Sequence, residues 1–409
     1  MAPLLARTWA LDPDQVPDLL RLAGEDGVLF AREGRGFAGR GVAQRVGRAQ
    51  VEGALVGIEL DDPLDRPGTG PVAFAALPFL PDAPTELVVP ELLVGIDAEG
   101  GWATLVGPAD EVADADPIAA VAEAVAAGGR PSPADGPSSF HVEASRPPAD
   151  WQAAVARATA RIRAGELDKV VLAREVVVRA DADLSIATLL LRLSQHHPAC
   201  YLYLVDGYCG ASPELLVARH DDVVTAQPMA GTKPRRGDPD ADAVLAAELL
   251  ASPTYRREHQ VTIDVVHDTL LGFSSYVDYE PEPSVVPLAN VVHLATRVEG
   301  RLSHPPASIL ELVSALHPTP AVCGRPREAA LAVIAELEEL DRGRYAGAVG
   351  WVDRRGNGAF AVGIRGAEVR GPTARVIAGN GMVGDSDPPT ELIETRAKLQ
   401  AMLSAIVRP

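Results

Sequence analysis

The chain has 409 residues, 47% hydrophobic and 23% charged, which is the balance of a globular protein with a sizeable core rather than a disordered one. A formal net charge of -19 at pH 7 opposes binding to nucleic acid or to an anionic membrane, and no Lys/Arg-rich run offsets it. Arg7 and Asp12 interrupt the N-terminal stretch, so it is not a secretory signal, and no apolar run reaches the ~18 residues of a membrane span.

The residues before 128 predict short strands and one or two helices. Strand-like runs bounded by Gly, Pro or Asp cover 28–31, 72–79, 86–89 and 102–107, and a helix closed by Gly covers 117–127. A segment rich in Pro, Gly and Ser follows over 128–150, and it is either a domain boundary or a long surface loop.

The rest of the chain alternates strands with helices. A helix over 151–165 precedes a β-branched strand over 167–180. Further strands are predicted at 201–206, 215–220, 223–227, 292–300, 345–352, 358–364, 367–370 and 374–379. Further helices are predicted at 240–251, 256–272, 308–316, 327–340 and 390–406. Hairpin-like spacings among these strands favour large antiparallel sheets.

The cysteines and the lysines each carry a signal. Cys200, Cys209 and Cys323 form no CxxC pair and have no zinc spacing, so we expect reduced, buried thiols and a cytoplasmic protein. Only three of the 37 basic residues are lysines. Because a buried lysine can lose its proton and arginine cannot, a surviving lysine marks a position where charge alone does not suffice, unless it survives by chance.

Lys169 and Glu214 are the candidates for acid/base chemistry. Lys169 opens the hydrophobic strand VVLAREVVV, where desolvation favours a base, and Glu214 precedes Leu-Leu-Val, where an apolar setting favours a protonated acid. Each is also compatible with a purely structural role. The Ser, His and Cys residues suggest no nucleophilic triad, and His196 and His197 beside Pro198 indicate a turn.

A possible metal site involves two predicted helices. In the final helix, Glu391, Glu394 and Lys398 share one face, and Thr390 is the expected N-cap. Glu258 lies at the opening of the 256–272 helix. Two separated glutamates can form an oxygen site for Mg²⁺ together with waters and an anionic substrate, although a solvated helix face would show the same pattern.

The stretch Gly379–Gly384 matches G-x-G-x-x-G but is not a dinucleotide fingerprint. Five residues separate it from the helix, no acidic residue follows about 20 positions on, and the chain ends too soon for a Rossmann unit. A glycine-rich turn that holds a carboxylate through its N–H groups is the better interpretation, with a purely structural turn as the alternative.

Several segments together resemble one enzyme family. They run in order from 168 to 398 and read LDKVVLAREV, GASPELLV, AQPMAGTKPRRG, HPTPAVCGRPREAAL, RGRYAGAVGWVDRRGNGAFAVGIR and ARVIAGNGMVGDSDPPTELIETRAK. This set resembles the chorismate-utilising enzymes, and most of all their isochorismate synthase branch in menaquinone and siderophore pathways. The resemblance implies one large α+β domain over 1–409, with antiparallel sheets in a sandwich core flanked by helices. Residues 1–127 would add strands to that core, 128–150 would be a loop, and 151–409 would carry the catalytic part.

The resemblance also implies roles for individual residues. Lys169 would be the base that activates water for attack on C2 of chorismate, and Glu214 the acid that protonates the departing C4 hydroxyl. Glu258 and Glu394 would bind Mg²⁺, with Glu391 reaching it through water. The enolpyruvyl carboxylate would be held by Tyr345, Arg365 and the backbone of Gly379, Asn380 and Gly381. The remaining pocket-lining positions would be Thr232, His293, Thr319 and Lys398.

Departures from the family pattern leave alternatives. Tyr255 stands where relatives often carry an acidic residue near the metal, and Ala230 stands where aminodeoxychorismate synthases carry a nucleophilic lysine. Ammonia-using relatives are therefore disfavoured, whereas no motif separates isochorismate synthase from salicylate synthase. A non-catalytic chorismate-binding protein is the alternative outside enzymes. We expect a monomer, since no heptad pattern stands out.

Overall fold

Two large sheets form the frame of the protein in a computed structural model that describes residues 3–129, 136–235, 237–288 and 291–407. Within these ranges the sheets have 13 and 9 strands, and a third sheet has 3. Together with flanking helices they form one mixed α/β body with large antiparallel sheets, as the sequence predicts. No helix in these ranges is long and apolar enough to cross a membrane.

The first ten strands come from the part of the chain before residue 145. They are β1 (Leu4–Leu11), β2 (Val28–Arg32), β3 (Arg35–Arg40), β4 (Gln44–Gly47), β5 (Glu59–Asp61), β6 (Val72–Ala76), β7 (Glu86–Val89), β8 (Leu92–Ile96), β9 (Gly101–Pro108) and β10 (Phe140–Ala144).

The later strands carry most of the family-like segments. They are β11 (Lys169–Ala180), β12 (Tyr201–Val205), β13 (Tyr208–Ser212), β14 (Leu215–His220), β15 (Val223–Gln227), β16 (Met229–Pro234), β17 (Ser274–Tyr279), β18 (Ser284–Pro287), β19 (Val291–Ala295), β20 (Val298–Leu302), β21 (Gly324–Arg325), β22 (Ala348–Asp353), β23 (Gly358–Val362), β24 (Gly366–Arg370) and β25 (Thr373–Met382).

The helices lie between these strands and at the C-terminal end. They are α1 (Leu19–Ala23), α2 (Val51–Gly57), α3 (Ala109–Ala113), α4 (Pro117–Gly128), α5 (Pro148–Arg163), α6 (Ile186–His196), α7 (Pro239–Ala251), α8 (Pro253–Leu271), α9 (Ile309–Leu316), α10 (Arg327–Leu337) and α11 (Pro388–Val407).

Both large sheets mix early and late parts of the chain. The larger sheet has the order β10-β11-β25-β24-β13-β12-β2-β3-β8-β9-β1-β5, with β21 as its thirteenth strand paired to β11 off this path. The smaller sheet has the order β17-β20-β15-β14-β23-β22-β6-β7-β4. β2 pairs with β12, and β6 pairs with β22, so early strands lie inside the sheets rather than in a body of their own. The third sheet, β16-β19-β18, lies beside α7 and α8.

The strand β11 is central to the candidate site. Its sequence KVVLAREVVVRA is apolar on both faces, and the strand is buried along most of its length, as expected where both faces of a sheet are covered. It pairs antiparallel with β25 from Val170↔Met382 to Arg179↔Thr373. This long register fixes the end of β25 directly beside the start of β11.

Some elements differ from the sequence predictions. The predicted strand over 292–300 is two strands, β19 and β20, which join different sheets. Helix α6 was not predicted, and His196 ends this helix instead of lying in a turn. The signal was present, because Ser185 caps the helix by accepting a hydrogen bond from the Thr188 amide.

The segment predicted as a loop over 128–150 also differs in part. Residues 130–135 lie outside the described ranges, but β10 forms within the segment and α5 begins at Pro148. β10 pairs with β11 from Phe140↔Ala180 to Ala144↔Val176, although three of its five side chains are exposed. Pairing with a neighbouring strand, and not an apolar pattern of its own, therefore determines that this stretch is extended.

Candidate active site

One polar cavity of about 520 Å³ contains nearly all of the predicted site residues. It lies where β11, β16, β19 and β25 meet helices α8 and α11. The predicted residues that line it are Lys169, Glu214, Thr232, Glu258, His293, Tyr345, Arg365, Gly379, Asn380, Gly381, Glu391, Glu394 and Lys398. Residues as far apart in the sequence as Lys169 and Lys398 are thus brought together in one cavity.

Lys169 and Glu258 form an ion pair in the wall of this cavity. Lys169 is the first residue of β11, and its Nζ donates a hydrogen bond to Oε1 of Glu258, 2.7 Å away on α8. Gly381 of β25 lies against the same ammonium: a Cβ built on it would be only 2.6 Å from Lys169 Cε. The missing side chain at 381 therefore leaves room for Lys169.

Glu214 lies between β13 and β14 and is almost completely buried, with 4% of its surface exposed. Burial raises the pKa of its carboxyl to about 7, although the Met229 amide and the charges of Lys169 and Arg365 oppose this effect. The Met229 N–H donates to Glu214 Oε1 at 3.4 Å. A carboxyl with this pKa can hold and release a proton near neutral pH.

Three further glutamates, Glu258, Glu391 and Glu394, line the same cavity. Burial alone would raise the pKa of Glu258, but the charge and hydrogen bond of Lys169 and the charge of Lys398 hold it below its usual value. Asn380 of β25 donates from Nδ2 to Oε2 of Glu394 on α11 at 2.7 Å and also to Oε2 of Glu391 on the same helix. One amide group thus ties both α11 carboxylates to β25.

The three carboxylates also act on the same neighbour. Burial raises the pKa of the Tyr255 hydroxyl, and the charges of Glu394, Glu258 and Glu391 raise it further. Among the described residues, no three His, Cys, Asp or Glu side chains form a ready-made metal cluster. Carboxylates from two helices facing one polar cavity are nevertheless the oxygen donors that Mg²⁺ prefers when waters and a ligand complete its coordination. The residues present therefore fit such an ion.

A chain of hydrogen bonds positions Arg365 on the cationic side. Arg365 lies between β23 and β24 in the left-handed region, with φ 54°, and its Nη2 lies 3.4 Å from Nε2 of His293. The other ring nitrogen of His293 lies 2.9 Å from Thr232 Oγ1. Burial and the charges of Arg365 and Lys398 lower the pKa of His293 well below its usual value, so the ring is neutral. Nε2 therefore accepts from Arg365, and Nδ1–H donates to Thr232.

Lys398 and Tyr345 border the end of β25. Lys398 Nζ donates to the Gly379 carbonyl at 3.2 Å and to Asn380 Oδ1. Burial and the charge of Arg365 lower the pKa of Lys398 to about 8, against the opposing charges of the nearby glutamates. Tyr345 is buried, and its hydroxyl would lie 3.0 Å from a Cβ on Gly379. Glycine at 379 therefore leaves space beside this hydroxyl.

Three predicted details differ in the structure. Gly379, Asn380 and Gly381 continue strand β25 and pair with β11, so they form no turn. Helix α11 begins at Pro388, and Asp387, not Thr390, caps it by accepting from the Thr390 N–H and hydroxyl. Pro388 and Pro389 suit a first helical turn because they lack the N–H that an N-terminus leaves unpaired.

Thr319 lies behind the wall rather than in it. It is 3% exposed, its carbonyl accepts from the amides of Val322 and Cys323, and its hydroxyl has no hydrogen-bond partner among the described residues. Ala321 and Val322 line the cavity instead. The predicted segment therefore reaches the site, but through its next residues.

Sequence reasoning missed several wall residues. These include Val171, Pro213, Met229, Ser252, Val322, Ile364, Val383, Asp385, Ser386 and Asp387. For the last three, the signal was their place between the glycine-rich stretch and the final helix. The apolar residues carry no comparable signal, because their side chains resemble those of any core strand.

The site thus combines the buried Glu214, the lysine Lys169 and three further glutamates around one cavity, on a frame of large antiparallel sheets. Comparison with known proteins gives the family: the model of the chorismate binding enzymes matches residues 44–407. The chain therefore belongs to this family.

Individual relatives agree with this assignment. A candidate isochorismate synthase, MenF, of Mycobacterium tuberculosis is 39% identical over 356 residues, which cover 83% of this chain and 88% of that protein. The crystal structure of a candidate 2,3-dihydroxybenzoate-specific isochorismate synthase, DhbC, from Bacillus anthracis has a TM-score of 0.78 at 31% identity, covering 95% of this chain and 98% of that one. Escherichia coli MenF, a menaquinone-specific isochorismate synthase, shares the fold with a TM-score of 0.84 at 23% identity, covering 99% of this chain and 95% of that one. The chain is thus an enzyme similar to isochorismate synthases.

Proposed function

We propose that the protein is a Mg²⁺-dependent isochorismate synthase, an isomerase that converts chorismate to isochorismate. The observation that carries the proposal is that Lys169 and Glu214 line the same cavity. Lys169 is an amine that can take a proton from water, and Glu214 is a buried carboxyl whose pKa of about 7 lets it supply one. Isochorismate synthesis needs both a base and an acid.

The proposed reaction balances with these two groups. The oxygen of a water molecule bonds to C2 of chorismate while its proton passes to Nζ of Lys169. The ring double bonds shift, the C4–O bond breaks, and the departing hydroxyl takes the proton of Glu214 and leaves as water. Water enters and water leaves, so the product is an isomer of the substrate.

The remaining residues would hold the substrate. Chorismate carries two carboxylates, and an acidic protein must neutralise both locally. Arg365, positioned by His293, and Tyr345 would bind the enolpyruvyl carboxylate beside the Gly379–Gly381 stretch. Lys398 would add positive charge at the end of β25.

Glu258 and Glu394 would hold Mg²⁺, and Glu391 would contact it through water. Mg²⁺ held there would supply positive charge for the ring carboxylate. Glu258 also accepts a hydrogen bond from Lys169 Nζ at 2.7 Å, so the proposed metal ligand and the proposed base are in direct contact.

Product analysis tests the proposal. Purified protein is incubated with chorismate and Mg²⁺, and the products are separated by chromatography. We expect isochorismate, formed reversibly and without ammonia. Salicylate with pyruvate as the main products would make the protein a salicylate synthase instead. Aromatic amines that form only with ammonium, or binding without turnover, would refute both assignments.

A further inference from the structure

A buried ion pair lies directly behind one wall of the cavity. Glu338 and Arg342 are 3% and 4% exposed and lie just after helix α10. Arg342 grips the carboxylate with two bonds: Nε donates to Oε1 at 2.6 Å and Nη2 donates to Oε2 at 2.7 Å. Burial alone would lower the pKa of the Arg342 guanidinium, but the charge and hydrogen bonds of Glu338 help to hold it above its usual value.

The other hydrogen bonds of this pair all go to backbone groups at the site. Arg342 Nη2 donates to the Val171 carbonyl at 2.8 Å, and Nη1 donates to the Val322 carbonyl at 2.9 Å. Glu338 Oε2 accepts from the Ala173 N–H at 2.8 Å. Val171 and Val322 both line the cavity. The pair therefore connects two walls of the site.

These contacts occupy a gap on the outer edge of β11. β21 pairs with the first two residues of this strand, and β10 pairs with its last five. Between them, Val171 and Ala173 bond to Arg342 and Glu338, and the Ala173 carbonyl accepts from Trp151 Nε1 at 3.0 Å. The Val171 N–H still donates to the backbone carbonyl of Cys323 at 2.7 Å, so side chains serve the Val171 carbonyl and both backbone groups of Ala173. Lys169 lies two residues before this stretch.

A third wall also contacts the pair. The Tyr345 N–H donates to the Arg342 carbonyl at 2.9 Å, and the Arg342 guanidinium lies 5.9 Å from the centre of the Tyr345 ring. The same guanidinium lies 4.2 Å from the centre of the Phe79 ring. Arg342 thus forms hydrogen bonds with three segments: the strand of Lys169, the segment of Val322 and the turn of Tyr345.

Stability alone is a poor reason for such a pair. Desolvating two charges costs about as much as their attraction returns, and well-packed apolar side chains often serve as well. What apolar side chains cannot supply is a planar fork of N–H donors with fixed directions. That fork is used here on backbone groups of the cavity wall.

We propose that Glu338 and Arg342 are positioning residues for the reaction. They set the β11 segment that carries Lys169, and the Val322 wall, in their places relative to Tyr345. This inference rests on the proposed function for its kinetic consequences. Small displacements of reacting groups cost large factors in rate, roughly 10²-fold for about 1 Å.

The test compares two arginines of one turn. Arg342→Lys keeps the charge but cannot reach the carboxylate and both carbonyls, so we expect kcat to fall roughly 10²-fold with a much smaller change in KM. Arg344→Lys is the matched control. Arg344 pairs with Glu368 at 3.1 Å and donates to the Val205 carbonyl at 2.9 Å, but none of these residues lines the cavity. We expect this variant to retain native kcat.

Amide hydrogen exchange without substrate separates positioning from general stabilisation. Arg342→Lys and Glu338→Gln should speed exchange in peptides covering 170–174 and 320–324, with thermal unfolding still well above the assay temperature. Native kcat in the folded variants, a drop in unfolding temperature alone, or failure of both variants to fold would show a purely structural pair and overturn the proposal. A wild-type chain inactive on chorismate would refute the proposed function. The exchange data would still decide the positioning, because unchanged exchange overturns it and locally faster exchange supports it.

Discussion

Glu214 and Glu258 line the same cavity and are both largely buried, yet their surroundings move their pKa values in opposite directions. Burial raises the pKa of Glu214 to about 7, whereas the ammonium of Lys169 holds the pKa of Glu258 below its usual value in spite of burial. The difference teaches that a cation in contact decides the protonation state of a buried carboxyl. One cavity can therefore hold one carboxyl with a raised pKa and another with a lowered pKa.

Glu214 and the other three glutamates of the cavity also differ in the hydrogen bonds that hold them. Among the described residues, the Glu214 carboxyl receives one hydrogen bond, a long one of 3.4 Å from the Met229 amide. Glu391 and Glu394 share the Asn380 amide, and Glu258 is tied to Lys169. The surroundings of Glu214 suit proton transfer, and the three other glutamates together suit binding of a cation.

The largest expected effect comes from removing the negative charge of Glu258 or Glu394. Glu258→Gln or Glu394→Gln should abolish turnover at ordinary Mg²⁺ concentrations, because each change removes a charged oxygen donor. Chelation by EDTA should likewise inhibit the wild type, and added Mg²⁺ should restore it. Initial rates of isochorismate formation measure both effects.

Glu336→Gln is the control for these variants, because Glu336 lies on α10 with its side chain 51% exposed and pairs with surface arginines. It should keep native activity. Full turnover by wild-type protein after thorough chelation would remove the metal from the mechanism.

The next largest effect concerns Lys169, the proposed base. Lys169→Arg should be nearly as inactive as Lys169→Ala, a loss of roughly 10²–10⁴-fold, because arginine keeps the charge but cannot act as a base. Lys233→Arg is the matched change, since Lys233 pairs with Glu248 outside the cavity wall. It should retain most activity. Near-native turnover by Lys169→Arg, in protein with normal thermal unfolding, would exclude the general-base role.

The proposed role of Glu214 as the acid is tested by Glu214→Gln, which keeps the shape of the side chain but cannot deliver a proton. We expect kcat to fall roughly 10²–10⁴-fold while chorismate binding changes much less. In the wild type the acid must be protonated, so kcat should fall as the pH rises through the Glu214 pKa of about 7. The variant should lack this limb of the pH profile.

A buried carboxylate outside the cavity controls for burial itself. Glu175 is 8% exposed and pairs with Arg375, so Glu175→Gln should leave the pH profile unchanged. If Glu214→Gln lost chorismate binding but kept native turnover at saturation, Glu214 would be a binding residue.

The smallest effect sharpens the comparison at the Lys169–Glu258 contact. Gly381→Ala would place a methyl group 2.6 Å from Lys169 Cε and 3.7 Å from Glu258 Oε1, so the flexible lysine must move. We expect kcat to fall roughly tenfold. Gly384→Ala should be neutral, because the nearest atom to its added Cβ, on Arg163, is 3.8 Å away. Equal activity of the two variants would show that the lysine tolerates the displacement.

Local pattern predicted many elements of this fold but missed those that depend on pairing. The β-branched run of β11 and the capped helix α4 were evident, because their residues favour these conformations wherever they lie. β10 was missed because its residues are extended only through pairing with β11. Gly379 and Gly381 suggested a turn, whereas they are strand residues that leave space for Tyr345 and Lys169.

By itself, the sequence determined the class of the fold, the family and most of the predicted residues that line the cavity. Local pattern carries the fold class, and the resemblance of whole segments carries the family. Residue type and setting made Lys169, Glu214, Glu258 and Glu394 candidates. Only the tertiary structure decided how these groups act on one another. The burial of Glu214, the contact of Lys169 with Glu258 and the ion pair behind Val171 depend on atoms from distant parts of the chain. Distance and desolvation determine such energies, and neither can be read along a chain.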